Sequence, residues 1–336
     1  MQGRIIGFGE LLLRLTPPGK RLIVQSQSLD IEVGGAEANV LAGLAALGHS
    51  TAMISRVADN PLGDLAMATL AARGIATDAI GRTAGRMGLY FLEPGQGARA
   101  SAITYDRAGS AFALAQPDDF DFDAALSGAR LLHLSGITPA LGPAGAAAAL
   151  TAVRKARAAG VAVSFDGNYR AQLWQAWDSD PRSVLTELIG QADILFGNHR
   201  DISLITGRSF SGDGEDRRRE AAEAAFALCP NLKLIASTAR HVVDADTNRI
   251  AARIDLPDAA HQTDEQAVGG IVDRIGTGDA FAAGCLHAWL NGDDAQTIAE
   301  TGLAMTVLKH SIPGDMPIIA PALLAAYRSG ERDVRR

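Results

Sequence analysis

Short runs of consecutive apolar residues alternate along the chain with longer segments whose apolar positions recur at helical spacing. The runs Ile5 to Gly9, Thr51 to Val57, Leu131 to Ser135, Ala162 to Asp166, Ile194 to Asn198 and Leu234 to Thr238 predict buried strands. Between them, Ala36 to Leu47, Pro61 to Arg73, Pro143 to Ala159 and Ala221 to Leu228 predict helices. That order implies an α/β fold with a mostly parallel sheet covered by helices. Ligands of open α/β sheets bind at the carboxyl ends of the strands, which is where Asp166, Asn198 and Thr238 stand.

Two segments break the alternation. Residues 16–35 and 85–107 read as extended strands with turn residues and no helix between them. The second predicts a hairpin around Gly95, Gln96 and Gly97. Period-two alternation puts Gly88, Tyr90 and Leu92 on one face of its first strand, and Ile103, Tyr105 and Arg107 on one face of its second. A small antiparallel excursion from an α/β core is either a lid or an edge hairpin that only extends the sheet. The charged stretch from Asp213 to Glu220 reads as a solvated loop and helix start.

Composition narrows the classes. The chain has 336 residues, 47% of them hydrophobic, enough for a sizeable core. Its 38 acidic and 31 basic residues give a formal charge of −7, and no basic run would track a phosphate backbone, so nucleic acid is not an expected partner. Cys229 and Cys285 are too few and too far apart for a disulfide framework or a metal motif, which points to a reducing cytoplasm. The apolar stretch from Ile5 to Leu15 contains Glu10 and Arg14 and reads as a buried strand, not as a signal peptide. No apolar run reaches the roughly 18 to 20 residues of a membrane-spanning helix.

The segment Asp273-Arg274-Ile275-Gly276-Thr277-Gly278-Asp279 precedes the helix-prone Ala282 to Leu290. Glycines at a helix start let backbone N–H groups converge on an anion, and the helix dipole favours negative charge there. A carboxylate inside such a site makes chemical sense if Asp279 takes a proton from a hydroxyl while the amides hold a phosphoryl group. An isolated Gly-x-Gly-Asp is also what a simply capped helix would show. Gly34-Gly35-Ala36-Glu37-Ala38-Asn39 joins the first extended segment to a helix. Its glycines permit close backbone approach to a ligand, and Asn39 offers a donor and an acceptor to hydroxyls.

Together these two segments resemble the two signatures of the ribokinase-like (PfkB) carbohydrate kinase family. Gly34, Gly35 and Asn39 match the first signature; Gly276, Gly278 and Asp279 match the second. The resemblance implies one ribokinase-like kinase domain over residues 1–336, a three-layer α/β sandwich with a small β-sheet lid. It implies phosphoryl transfer from ATP with Mg²⁺, an anion hole at residues 276–279, and Asp279 as base. Asn198-His199-Arg200-Asp201 is similar to the family's Asn-x-x-Glu motif, with Asp201 where Glu is usual and reaching Mg²⁺ only through water. Thr238-Ala239-Arg240 resembles a Thr-x-Arg that would set Thr238 and Arg240 on the nucleotide, and Lys309 and His310 either line the adenine pocket or stand at a solvated helix end. Asp273-Arg274-Ile275 stands where many related kinases carry an Asp-x-Thr for a monovalent cation, which leaves that cation open.

Further stretches resemble the family members that act on 2-keto-3-deoxygluconate. They are Gly7-Phe8-Gly9-Glu10-Leu11-Leu12, Tyr105 to Ala111, Tyr169-Arg170 with Leu173-Trp174, and Leu308 to Asp315. The substrate so implied is a six-carbon keto-acid phosphorylated on O6. A sugar acid needs a cation in its pocket, and Arg107 and Arg170 are the candidates, with Tyr90 and Tyr105 supplying ring surface and hydroxyls. Fructose, ribose or a nucleoside is the alternative acceptor. A nicotinamide dehydrogenase is suggested only by Gly7-Phe8-Gly9, with Leu12 in place of the third glycine, and a nonenzymatic sugar-binding regulator would not require Asp279. Exposed lid strands can pair across subunits, so a homodimer is expected.

Overall fold

A computed structural model describes residues 3–331. Its larger sheet has eleven strands among the described residues. In spatial order the main path runs Ala260–Gln262, Thr247–Asp255, Leu234–Val242, Ile194–Phe196, Ala162–Asp166, Leu131–Ser135, Ile5–Phe8, Thr51–Ala58 and Ile75–Ala76. From Leu234–Val242 to Ile75–Ala76 every pairing is parallel. Beyond Leu234–Val242 the sheet turns antiparallel. The parallel strands are buried on both faces, which is why they read as continuous apolar runs.

Helices cover both faces. Ala36–Ala46, Thr277–Asn291 and Ala295–Lys309 bury Leu41, Phe281 and Met305 against one side. Pro143–Ala158, Pro181–Gly190 and Glu215–Leu228 bury Val153, Leu188 and Ala225 against the other, where Phe8 also meets Phe120 and Phe122 edge to face and Phe112 at a tilt. The Thr277–Asn291 helix packs closely on Ala295–Lys309 because a Cβ at Gly302 would stand only 2.5 Å from Cys285 Sγ. That contact fixes the helix whose first turn carries Asp279. No described helix is long and apolar enough to cross a membrane.

The second sheet has four strands in the order Asp30–Gly34, Leu12–Thr16, Gly88–Glu93 and Ala102–Asp106. The hairpin expected within residues 85–107 is present, with Tyr90 opposite Tyr105 and Leu92 opposite Ile103. Two expectations are corrected. The central pair, Leu12–Thr16 with Gly88–Glu93, is parallel, because the chain passes through the main sheet between them. Segment 16–35 is not extended throughout: its strand is Asp30–Gly34, and a short 3₁₀ turn at Ile23–Gln25 interrupts what precedes it. The charged stretch after Asp213 is mostly helix, since Glu215–Leu228 starts six residues before the apolar spacing becomes visible.

Candidate active site

The carboxyl ends of the parallel strands open onto three adjoining cavities. One, of about 300 Å³, lies under the small sheet and is lined by Glu37, Asn39, Tyr105, Arg107, Arg170 and Asp279 among others. A second, of about 890 Å³, lies over Leu234–Val242 and includes Asn198, Arg200, Thr238 and Arg240. A third, of about 400 Å³, is bordered by Asp166, Arg170, Asn198 and Asp201. Thr277 and Gly278 line both the first and the second, whereas Asp279 lines only the first.

Gly276 adopts a left-handed conformation (φ 77°) at the N-cap of the Thr277–Asn291 helix, and a Cβ there would stand 1.8 Å from the Asp315 carbonyl oxygen. Only glycine fits. Ala280 N–H already donates to the Gly276 carbonyl, so the N–H groups of residues 277–279 have no intrahelical acceptor and point out of the helix end. The Thr277 hydroxyl donates to the Arg274 carbonyl, fastening the turn from within. Together, these features make the first turn an anion site at the junction of two cavities.

Asp279 is the carboxylate of that turn. Burial pushes it up to about 7, helped by the fields of Asp315 and Glu37 and opposed by the hydrogen bond from Asn39 and by Lys309. Asn39 Nδ2 donates to Asp279 Oδ2 at 2.7 Å, so the amide group expected to meet sugar hydroxyls orients the Asp279 carboxylate instead. The Asn39 Oδ1 atom is buried without a partner beside the same cavity. Gly35 lines the cavity. Gly34 does not, and its lack of a side chain makes room for Asp315, whose Oδ2 would be 1.9 Å from a Cβ.

The small sheet supplies the roof. Tyr90 is buried and its hydroxyl donates to Asp315 Oδ2 at 2.5 Å, while the Tyr105 ring is half exposed and 5.7 Å from the Tyr90 ring. Arg107 lines the cavity as expected, but it is 8% exposed and already paired with Glu10, Nε standing 2.9 Å from Glu10 Oε2. Ser110 donates to the other Glu10 oxygen. Arg170 makes no ion pair among the described residues and is exposed between the first and third cavities, its Nη1 only 3.4 Å from the Tyr169 carbonyl. It follows Asn168, a non-glycine residue with positive φ (37°) whose N–H donates to Asp166.

On the other side, Asn198 and Asp201 form a reciprocal helix cap: Asn198 Oδ1 accepts from Arg200 N–H, and Asp201 Oδ2 accepts from Asn198 N–H. Asp201 presses on Gly167, where a Cβ would lie 2.7 Å from Oδ1. Asp166 is pushed up to about 8, first by burial and then by the fields of Asp279 and Asp201. The carboxylates of Asp279 and Asp201 thus both act on Asp166, a grouping that suits a hard cation, while no cluster of three such side chains among the described residues could hold a metal ion directly. Those residues therefore fit a hydrated Mg²⁺ held through water. Thr238 and Arg240 are exposed in the large cavity.

Lys309 and His310 require correction. Both are buried (0% and 1% exposed) and line none of the three cavities. Lys309 Nζ donates to the Ile312 carbonyl, and His310 Nδ1 meets the Thr306 carbonyl. They terminate a helix behind the anion site because the turn after it folds the chain back over them. Sequence reasoning missed Glu37, Asn168, Arg200 and Asp315. Glu37, Arg200 and Asp315 lie inside motifs that carry the family resemblance, but nothing in the spacing of Glu37 and Asp315 shows that they converge on Asp279.

The chain matches the pfkB family carbohydrate kinase pattern over residues 4–317. It is 31% identical over its whole length to a 2-dehydro-3-deoxygalactonokinase of Haloferax volcanii, with all of that protein covered. A crystal structure of 2-dehydro-3-deoxygluconokinase from Thermotoga maritima superposes with a TM-score of 0.92 at 38% identity, covering 98% of this chain and all of the other. A ribokinase-like protein from E. coli, solved with ATP and Mg²⁺ and 18% identical, shares the fold at a TM-score of 0.82 over 98% of this chain. Gly7-Phe8-Gly9 is no dinucleotide loop: Gly7 and Phe8 lie in a strand, and a Cβ at Gly9 would meet the Glu37 carboxylate. With Asp279 beside a helix-end anion site, and with the family pattern running almost from end to end, this chain belongs to the pfkB family of carbohydrate kinases.

Proposed function

We propose that this kinase transfers the terminal phosphoryl group of ATP to O6 of a 2-keto-3-deoxy sugar acid, 2-keto-3-deoxygluconate first. The position of Thr277 and Gly278 in the walls of two cavities carries the phosphoryl-transfer reading, because one anion site then serves donor and acceptor at once. The sugar occupies the cavity of about 300 Å³ and the nucleotide the one of about 890 Å³.

In that arrangement Asp279, held by Asn39, accepts the proton of the O6 hydroxyl as the oxygen attacks phosphorus. The amides of residues 277–279 meet the negative charge on the transferring group, where preorganised donors act most strongly. Arg240 and Asn198 hold phosphates on the donor side. Arg170, without a carboxylate partner of its own, pairs with the acid group of the sugar, and Tyr105 covers the ring. Arg107 is preset by Glu10 and shapes the roof. Mg²⁺, which Asp166, Asn198 and Asp201 would hold through water, supplies charge neutralisation of the phosphates.

The relatives named for sugar-acid substrates support this choice of acceptor. The proposed enzyme is cytoplasmic and forms one kinase domain, and its two cysteines are buried free thiols. It dimerises through the lid, whose edge strand Ala102–Asp106 is exposed throughout, and sedimentation tests that association. An ATP-coupled assay over gluco and galacto 2-keto-3-deoxy acids, fructose, ribose and a nucleoside tests the acceptor. Equal efficiency on neutral sugars would overturn the acid reading.

A further inference from the structure

Lys309 closes the Ala295–Lys309 helix and is completely buried. An ammonium without water is stable only among opposite charges and acceptors. Burial lowers the pKa of Lys309 from the ordinary lysine range and Arg14 acts in the same direction, while the fields of Asp273, Asp315 and Asp279 favour the charged form and Nζ donates to the Ile312 carbonyl at 2.9 Å. Arg14 is the other cation of this cluster, with Nη1 2.8 Å from Asp273 Oδ2 and 3.0 Å from Asp315 Oδ1.

The cluster lies directly behind the anion site. A Cβ on Gly276 would stand 3.3 Å from Lys309 Cε as well as 1.8 Å from the Asp315 carbonyl oxygen, so the left-handed turn rests on both. Asp273 starts the same turn, accepting from Ile275 N–H with one oxygen and from Gly314 N–H with the other. Two chain segments, 273–276 and 312–315, are thus laid side by side. Arg14 bridges their carboxylates from the lid sheet, and Lys309 sits between them on the core side.

We propose that Lys309 is a positioning residue for phosphoryl transfer: its ammonium is a tethered internal cation that holds these two segments together and keeps the amides of residues 277–279 converged. A packing role alone would be met by any side chain of the same length. A charge role would not. Arg14 supplies the cation on the lid side and Lys309 the one on the core side, and an enzyme so provided has no need of one from solution.

The proposal rests on reading residues 276–279 as the phosphoryl-binding turn, and its test uses whichever sugar of the panel the wild type phosphorylates. Failure of the sugar-acid reading therefore leaves it intact. Lys309→Met keeps the bulk and removes the charge, and Lys309→Ala opens a space for a small cation. Both should lose turnover by about thirtyfold or more, while calorimetric affinity for the sugar without nucleotide stays within about threefold. Ammonium or methylammonium should restore Lys309→Ala by at least about fivefold, and tetramethylammonium at equal ionic strength should not. Lys309→Met with turnover within twofold of wild type, or Lys309→Ala that no small cation improves, would overturn the proposal. If neither variant folds, the wild type decides. Equal turnover in sodium, potassium and ammonium salts supports a built-in cation, and activation by potassium or ammonium of about threefold or more over sodium overturns it.

Discussion

Asn39 and Asp279, 240 positions apart in the chain, meet at 2.7 Å, with the Asn39 amide donating to Asp279 Oδ2. The contact ties the helix that begins after Gly35 to the helix that begins after Gly276, and it favours the ionised carboxylate. Asp279→Asn keeps the shape of this pair and removes the proton acceptor. Turnover should fall by roughly two to four orders of magnitude with an unchanged melting temperature. A folded variant with near-normal turnover would exclude Asp279 as the base.

The same pair sets the pH dependence. A base works only when deprotonated, and burial raises Asp279 from the ordinary carboxylate range to about 7. In the free enzyme kcat/KM should therefore climb about tenfold per pH unit below that value and level off above it. Asn39→Leu removes a hydrogen bond that lowers the pKa, so the inflection should move to higher pH. An unchanged inflection would mean that another group titrates.

Arg240 stands exposed in the larger cavity, away from Asp279. Arg240→Ala should raise KM for ATP or lower turnover, and leave sugar binding without nucleotide nearly intact. Calorimetry with the sugar alone separates these effects. Lost sugar affinity with normal nucleotide kinetics would put Arg240 on the acceptor side.

The two arginines of the sugar cavity should behave differently. Arg170 has no ion pair to break, and one charge-assisted hydrogen bond is worth about 1.5 to 3 kcal/mol. Arg170→Ala should lower efficiency on the sugar acid at least about tenfold and change a neutral hexose much less. Arg107→Ala leaves Glu10 buried without its cation and should cost about 3 to 5 kcal/mol of stability, lowering both activities together. Equal ratios of acid to neutral activity in both variants would remove Arg170 from carboxylate recognition.

The main sheet was readable because its parallel strands are buried on both faces and bounded by Gly, Asp and Asn. Leu131–Ser135 and Ala162–Asp166 fall where their apolar runs do. Thr247–Asp255 was not readable, since Arg249 and Arg253 interrupt its apolar positions and it is held by antiparallel neighbours. At the site, Gly276 and Asp279 were visible because a helix-end anion site needs a fixed local order. Asp315 was not, because its part comes from Arg14, Tyr90, Gly34 and Gly276, each contributed by a different stretch of chain. Lys309 was misplaced for a related reason: the fold, not the spacing, turns its side chain inward.

Arg14 and Tyr90 belong to the two middle strands of the small sheet, and both are fastened to carboxylates behind the anion site. The root of the lid is thus riveted to the floor behind residues 276–279, and the strand Ala102–Asp106, though exposed along its length, is tied at either end: Gly97 N–H donates to Asp246 and its carbonyl accepts from Ala245 N–H, and Arg107 pairs with Glu10. With its stem and both ends of its outer strand held, the roof over the smaller cavity is a braced arch, not a hinged door. Through Arg14 and Tyr90 the stem also grips Asp273 and Asp315, which brace the turn at Gly276, so roof and helix end lean on one shared buttress.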